Sequence, residues 1–318
     1  MFADVGNPVS NYSEQFLQNP KYVKLEYDQI LRFCQKHSNM ARGVPNWSHH
    51  LKSKNIEENI KFYLIFNSIN FNYFHNDSSS SNYQKCFTNN RLKGSGLLVY
   101  KLVQNWDLLK SWKSKKDLNF HLFTNGIFVD EVSIPLPDER IIALSKTFDF
   151  IFDIHRKYGS LENYFESMSN DALKLAMAIN QITSWQDPFM KRSQLAVAQI
   201  YGKLQDTNSN PVDLATINKL TVFADYNLAK VVLAEKLAIP LNDLKTTLTE
   251  KHLIEPNSRM ENELRSAIVV CGLIISQYLS KQLKRSVPCI EVDYLIWQIA
   301  RGKKHSDIYR PRVITTHY

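Results

Sequence analysis

The sequence predicts a mostly α-helical fold: a single helical domain with a small β-hairpin appendage. Three observations carry this. Apolar residues recur at helical spacing along most of the chain, strand-like alternation is scarce, and no long linker or internal repeat divides the 318 residues. With 44% hydrophobic residues and only 9 Gly and 11 Pro, the chain has enough apolar surface for a large core, and collagen-like, disordered and coiled-coil classes are excluded.

Taken in order, helical patterns are expected over 27–37, 56–67 and 97–109. The best strand signal is 83–93, where Asn89-Asn90 would turn a short hairpin; the preceding Asn76-Asp77-Ser78-Ser79-Ser80-Ser81 reads as an exposed loop. Pro135-Leu136-Pro137-Asp138 marks the clearest break, between an N-terminal part (1–137) and a more regularly helical part (138–318). Leu144, Phe148, Ile151, Phe152 and His155 then form one helical stripe that Gly159 is placed to end. Further helices are expected over 171–182, 192–204, 229–237 and 292–301. Leu264, Ile268, Cys271, Ile275, Tyr278 and Leu279 form a second stripe, and Val269, Val270, Leu273 and Ile274 make its other faces apolar too, so this helix is expected to be enclosed by protein.

Composition narrows the function classes. The four cysteines stand far apart without a C-x-x-C, so neither a disulfide frame nor a zinc site is expected. The longest nearly uninterrupted apolar run, 267–275, is about half of the roughly 20 residues that cross a bilayer. Met1-Phe2-Ala3-Asp4-Val5-Gly6 lacks the pattern of a signal peptide, so a soluble, cytoplasmic protein is expected. A formal charge of +8, from 39 Lys+Arg against 31 Asp+Glu, suggests affinity for anions such as phosphate, nucleotide or nucleic acid.

Phosphate-loop, dinucleotide, zinc-peptidase and nucleophile-elbow motifs are all missing, which leaves chemistry done by carboxylates. In Thr221-Val222-Phe223-Ala224-Asp225-Tyr226 an acid stands between rings at the end of an apolar run. Such a group can act as base, nucleophile or partner of a developing positive charge, or it can simply cap the helix that follows. In Asp293-Tyr294-Leu295-Ile296-Trp297 an acid, a phenol and an indole fall within about one turn, either lining a pocket wall or capping and packing the last helix. Trp47-Ser48-His49-His50 offers paired imidazoles without further ligands at metal-binding spacing, and no metal or other cofactor is expected. Phe189-Met190-Lys191-Arg192 puts two cations at a helix start, where they oppose the dipole and ask for an anion: a phosphate or a structural salt bridge.

Together these stretches resemble the queuosine salvage proteins, the queuosine 5'-phosphate N-glycosylase/hydrolase family. The similarity runs in order over nearly the whole chain. It comprises Asn70-Phe71-Asn72-Tyr73-Phe74, Lys191-Arg192-Ser193-Gln194, Leu220-Thr221-Val222-Phe223-Ala224-Asp225-Tyr226, Glu261-Asn262-Glu263-Leu264-Arg265, Asp293-Tyr294-Leu295-Ile296-Trp297, and a tail with Arg310-Pro311-Arg312 that runs to Tyr318.

The resemblance implies a fold related in architecture to helical DNA glycosylases, and release of queuine from queuosine 5'-phosphate for salvage into tRNA modification. It implies Asp225 as the catalytic carboxylate, Phe223 stacking on the base, Asp293 and Tyr294 reading it, and His49, or equally His50, completing the pocket. Lys191 would meet the 5'-phosphate, and Gln298 would replace an acid that helps hold the base in relatives. The partner implied is a small nucleotide, with no membrane and no stable nucleic-acid complex. Breaking a C–N glycosidic bond builds positive charge on the ribose, which a carboxylate stabilises without a metal. Asn227-Leu228-Ala229-Lys230 replaces the Arg-x-Pro-Gln of the family. With Gln298 it leaves open a binding protein with weakened turnover, and the basic excess leaves open a glycosylase acting on polymeric nucleic acid by base extrusion.

Overall fold

The computed structural model describes residues 6–47, 50–75, 87–205, 210–302 and 310–318. It is 61% helical. The helices are α1 (Pro8–Gln18), α2 (Tyr27–His37), α3 (Ile56–Ser68), α4 (Ser95–Gln104), α5 (Trp106–Ser111), α6 (Pro137–Tyr158), α7 (Leu161–Ser167), α8 (Ala172–Asn180), α9 (Lys191–Leu204), α10 (Leu214–Ile217), α11 (Tyr226–Ala234), α12 (Asn242–Thr249), α13 (Arg259–Leu283) and α14 (Cys289–Arg301). Local chemistry sets their ends. In α6, Pro137 enters the first turn beside Asp138 and Glu139, and Gly159 leaves the last turn at φ +80°, a conformation that suits glycine. Asp171 caps α8 by accepting from the Leu173 and Lys174 amides.

Among the described residues the only sheet pairs β1 (Val23–Leu25) antiparallel with β2 (Ala238–Pro240), in the register Val23 to Pro240, Lys24 to Ile239 and Leu25 to Ala238. This pairing joins distant parts of the chain. The hairpin expected over 83–93 is described from 87, where it is a turn closed by a single bridge between Thr88 and Lys93, with the Asn89 side chain accepting from the Arg91 and Leu92 amides. Residues 76–86 lie outside the described residues.

The apolar stripe of α13 has become a core helix, packed on by α1, α2, α11 and α14. Its length and composition would allow it to span a bilayer, yet 56% of its most apolar window is buried within the protein. A second group forms around α3 and α9, which pack on each other, with α6 and α7 against α3 and α8 against α9. One continuous apolar core joins the two groups and includes residues from both sides of the Pro135–Pro137 break. Cys34 and Cys271 are buried in it, and burial raises the Cys34 thiol to about 12.

A segment outside regular secondary structure, 220–224, links the two groups and is buried throughout. It can lie against α13 because residue 272 is glycine: a Cβ there would stand 2.4 Å from Cγ1 of Val222. This close approach delivers residue 225 to its position.

Candidate active site

Backbone buried outside regular structure must find other partners. For 220–224 these partners are side chains from three distant stretches. Gln194 of α9 accepts from the Thr221 amide at 2.8 Å, Asp293 of α14 accepts from the Phe223 amide at 2.8 Å, and Arg265 of α13 donates through Nε to the Ala224 carbonyl at 3.2 Å. The sequence stretches singled out separately are thus held together around one buried run of backbone.

Asp225 ends that run as the N-cap of α11. Its Oδ1 accepts from the Asn227 amide at 2.8 Å and the Leu228 amide at 3.1 Å, while its Oδ2 makes no hydrogen bond to the described residues. The side chain is half-buried. The cap and the reactive acid, alternatives in the sequence, are therefore compatible: the cap fixes the side chain and leaves one oxygen without a hydrogen bond to the described residues.

Lys191, at the first turn of α9, is 5% exposed and feels the negative charges of both Asp225 and Asp293. Burial pulls its ammonium below the ordinary lysine range, and the two acids only partly offset this. Asp293 lies deep among protein atoms although part of its surface is accessible. Burial drives its carboxyl well above the ordinary value, and the nearby charge of Asp225 adds to the rise against the opposing Phe223 amide and Lys191. The result is a set of two carboxylates and one ammonium in which the acids are held in different ways.

Phe223 is buried beside Asp293 through its amide. Tyr294 and Trp297 are half-buried and stack at 5.7 Å with an 18° interplanar angle, and the Arg301 guanidinium lies 4.9 Å over the Trp297 ring. Gln298 is exposed, outside the buried set. His49 lies outside the described residues. His50 packs against Tyr63 and Phe66 of α3, with Nδ1 3.5 Å from Tyr63 Oη. No group of three His, Cys, Asp or Glu among the described residues is arranged to hold a metal ion.

The structure adds a second layer in which sequence reading assigned a role only to Arg192, expected to meet an anion and found donating to carbonyls instead. Asp187 sits just before α9 and accepts from the Lys191 amide at 3.0 Å, so a carboxylate supplies the anion that the start of this helix asks for. It also pairs with Arg265 through bonds of 2.8 and 2.7 Å. The Asn70-Phe71-Asn72-Tyr73-Phe74 loop is fixed by two fully buried arginines. Arg140 donates to the carbonyls of Ile69, Phe71, Asn72 and Pro135, Arg192 donates to those of Ser68 and Ser184, and the Phe71 ring has the Arg140 and Arg192 guanidiniums at 4.2 and 5.1 Å. Burial lowers the two guanidiniums to about 10 and about 9 respectively. The signal for Asp187 and Arg265 was a charge inside an apolar run, visible in Trp185-Gln186-Asp187-Pro188-Phe189 and Leu264-Arg265-Ser266-Ala267-Ile268.

A profile of the queuosine salvage protein family matches residues 49–318. The chain belongs to the queuosine salvage protein family. Relatives bearing the name queuosine 5'-phosphate N-glycosylase/hydrolase include one from Schizosaccharomyces pombe, 24% identical over 176 residues (53% of this chain and 49% of the relative). Another, from Bos taurus, is 25% identical over 191 residues (55% of each chain), and one from Dictyostelium discoideum is 29% identical over 132 residues (41% and 40%). The aligned part thus spans about half the length of the curated relatives. The set around Asp225 is a feature of this queuosine salvage protein that lies wholly within the matched span.

Proposed function

We propose that this chain is an N-glycosyl hydrolase that cleaves queuosine 5'-phosphate into queuine and ribose 5-phosphate. The observation that carries the reading is the division of labour at Asp225, where one oxygen is anchored by two amides and the other makes no hydrogen bond to the described residues. As the C–N bond lengthens, the ribose gains oxocarbenium character, and a fixed anion stabilises that state more than the neutral ground state. Water adds its hydroxyl to the anomeric carbon and its proton goes to the departing base. In this reading Phe223, Tyr294 and a histidine of the His49-His50 pair surround the base, Asp293 meets its cationic side chain, and Lys191 balances the two acids beside the sugar. The names of the relatives support the substrate assignment, and we place the reaction in the cytoplasm, returning the base to tRNA modification.

The test is to incubate the purified chain with queuosine 5'-phosphate and measure free queuine by chromatography. Release by the wild type and its loss in Asp225→Asn are expected. Tight binding with no release would identify a binding protein instead, and undiminished release by Asp225→Asn would remove Asp225 from the mechanism.

A further inference from the structure

Helix α1 precedes the stretch that the family profile matches, which begins at residue 49, yet it packs on α13 and reaches the supports of the candidate site. The Tyr12 ring meets that of Phe189, just before α9, edge to face at 5.3 Å. The N-cap of α1, Asn7, is wholly buried. Its Oδ1 accepts from the Val9 amide at 2.9 Å, while its Nδ2 donates to the Lys219 carbonyl at 2.8 Å and to Oε1 of Gln194 at 3.3 Å. Gln194 is the same residue that accepts from the Thr221 amide, and its Nε2 donates to the Phe189 carbonyl at 3.1 Å and to Oγ1 of Thr221 at 3.0 Å. Two side chains 187 positions apart thus hold the backbone on either side of Leu220, where the 220–224 run begins.

Backbone groups settle the direction of this chain of bonds. The Val9 amide can only donate, so it takes the oxygen of Asn7; the Lys219 carbonyl can only accept, so it takes the nitrogen. The Thr221 amide likewise requires the oxygen of Gln194, and that oxygen meets a second donor in Asn7. Turning either side-chain amide over would set donor against donor and acceptor against acceptor. Both residues are fully buried, so water could not make good the loss. Downstream, Asp293 holds the Phe223 amide and Arg265 the Ala224 carbonyl. The run that ends at Asp225 is therefore fixed from both directions, and its upstream fixing depends on a residue outside the matched span.

We propose that Asn7 is a positioning residue: through Lys219 and Gln194 it sets where the 220–224 run enters the site, and so where the Asp225 carboxylate stands relative to the anomeric carbon. This rests on the hydrolase reading above. Asn7→Ser isolates the role, because Ser caps a helix about as well as Asn but is too short to carry a donor to Lys219 and Gln194. Asn7→Asp, also a good cap, is the second variant; it sets an oxygen against the two acceptors and has the larger effect. At a temperature where each variant is fully folded by circular dichroism, kcat for base release from queuosine 5'-phosphate falls by about 10-fold, with KM held within about 2-fold. A displaced anion still lets the substrate bind but meets the developing charge badly. Amide hydrogen exchange without substrate gives the independent reading: the Thr221 and Phe223 amides exchange roughly 3- to 10-fold faster, the worth of about one hydrogen bond, while the amides of α1 and α13 keep their wild-type rates. An unchanged kcat in folded variants, or an acceleration shared equally by α1 and α13, overturns the assignment. Should wild type release no base, the hydrolase reading fails and the exchange comparison alone decides: faster exchange confined to Thr221 and Phe223 supports the role of Asn7, and equal rates in all three proteins overturn it.

Discussion

Arg265 holds Asp187 in a two-pronged pair, Nη1 to Oδ1 at 2.8 Å and Nη2 to Oδ2 at 2.7 Å, with both side chains almost wholly buried. Each partner also holds a different piece of the candidate site. Asp187 accepts from the Phe189 and Lys191 amides and so sets the start of α9, while Arg265 reaches the carbonyl of Ala224, the residue before Asp225. The rings of Phe189 and Tyr318 lie 4.2 and 4.5 Å from the guanidinium. Two residues 78 positions apart thereby fix Lys191 and Asp225 relative to each other.

Removing one partner of a buried ion pair leaves the other charge without compensation, which costs about 3 to 5 kcal/mol. Asp187→Asn is expected to lose about that much stability in urea unfolding, and Asp187→Asn combined with Arg265→Met is expected to lose less than the sum of the single changes. Burial alone would raise the Asp187 carboxyl, but the charge and hydrogen bonds of Arg265 outweigh it and hold the group below the ordinary value. Because the folded-state pKa is depressed, this stabilisation is present above the unfolded value of about 4 and is lost as pH falls through the lower folded value. Strict additivity of the two substitutions would show that the pair carries no coupling energy.

Much of the fold was legible because periodicity is a local property. The spacing over 27–37 matches α2 residue for residue, and Asp171 reads correctly as the start of a helix. The pattern over 97–109 is continuous in sequence but splits at Asn105, whose side chain donates back to the Lys101 carbonyl at 2.9 Å, and α4 and α5 result. The β1–β2 pairing joins segments more than 200 residues apart, which no local pattern encodes. The same limit applies at the site. Asp225 and Asp293 were visible as acids in apolar runs, whereas the partnership of Asp187 with Arg265 exists only once α13 lies beside the start of α9.

Asp225 separates stability from activity. Asn caps a helix about as well as Asp, so Asp225→Asn is expected to keep the bonds to the Asn227 and Leu228 amides and to change stability by less than about 0.5 kcal/mol. Losing the anion opposite a developing positive charge is expected to lower kcat by roughly 100-fold or more. Asp225→Ala should add a loss of about 1 kcal/mol in stability. Parallel urea titrations and single-turnover assays check both; an active Asp225→Asn enzyme would refute the assignment of this carboxylate.

The raised pKa of Asp293 has the opposite sign from that of Asp187. Burial, helped by the charge of Asp225, makes the folded protein bind a proton at this site more tightly than the unfolded chain does. The contribution to stability is fully present below the unfolded value of about 4 and is lost as pH rises through the higher folded value. Asp293→Asn keeps an oxygen for the Phe223 amide but cannot ionise, so its stability should decline less than that of wild type as pH rises from 4 towards neutrality. Urea midpoints at a series of pH values test this, and parallel curves for the two proteins would count against the shift.

Gly272 offers a test in which helix propensity and packing predict opposite signs. In the middle of α13, Gly→Ala would by propensity alone stabilise by about 1 kcal/mol. Here the new Cβ would stand 2.4 and 2.7 Å from the two Cγ atoms of Val222, pushing on the segment that carries Phe223, Ala224 and Asp225. Overpacking of this kind costs about 1 to 3 kcal/mol, so Gly272→Ala is expected to destabilise and to lower base release as well. Val222→Ala deletes both of the methyl groups that the Cβ meets. Adding Val222→Ala to Gly272→Ala should therefore recover stability, whereas Val222→Ala alone should lose it by leaving a cavity. Denaturation of the two single variants and the double variant provides the comparison; if Gly272→Ala gains stability on its own, the close contact between α13 and 220–224 does not exist in solution.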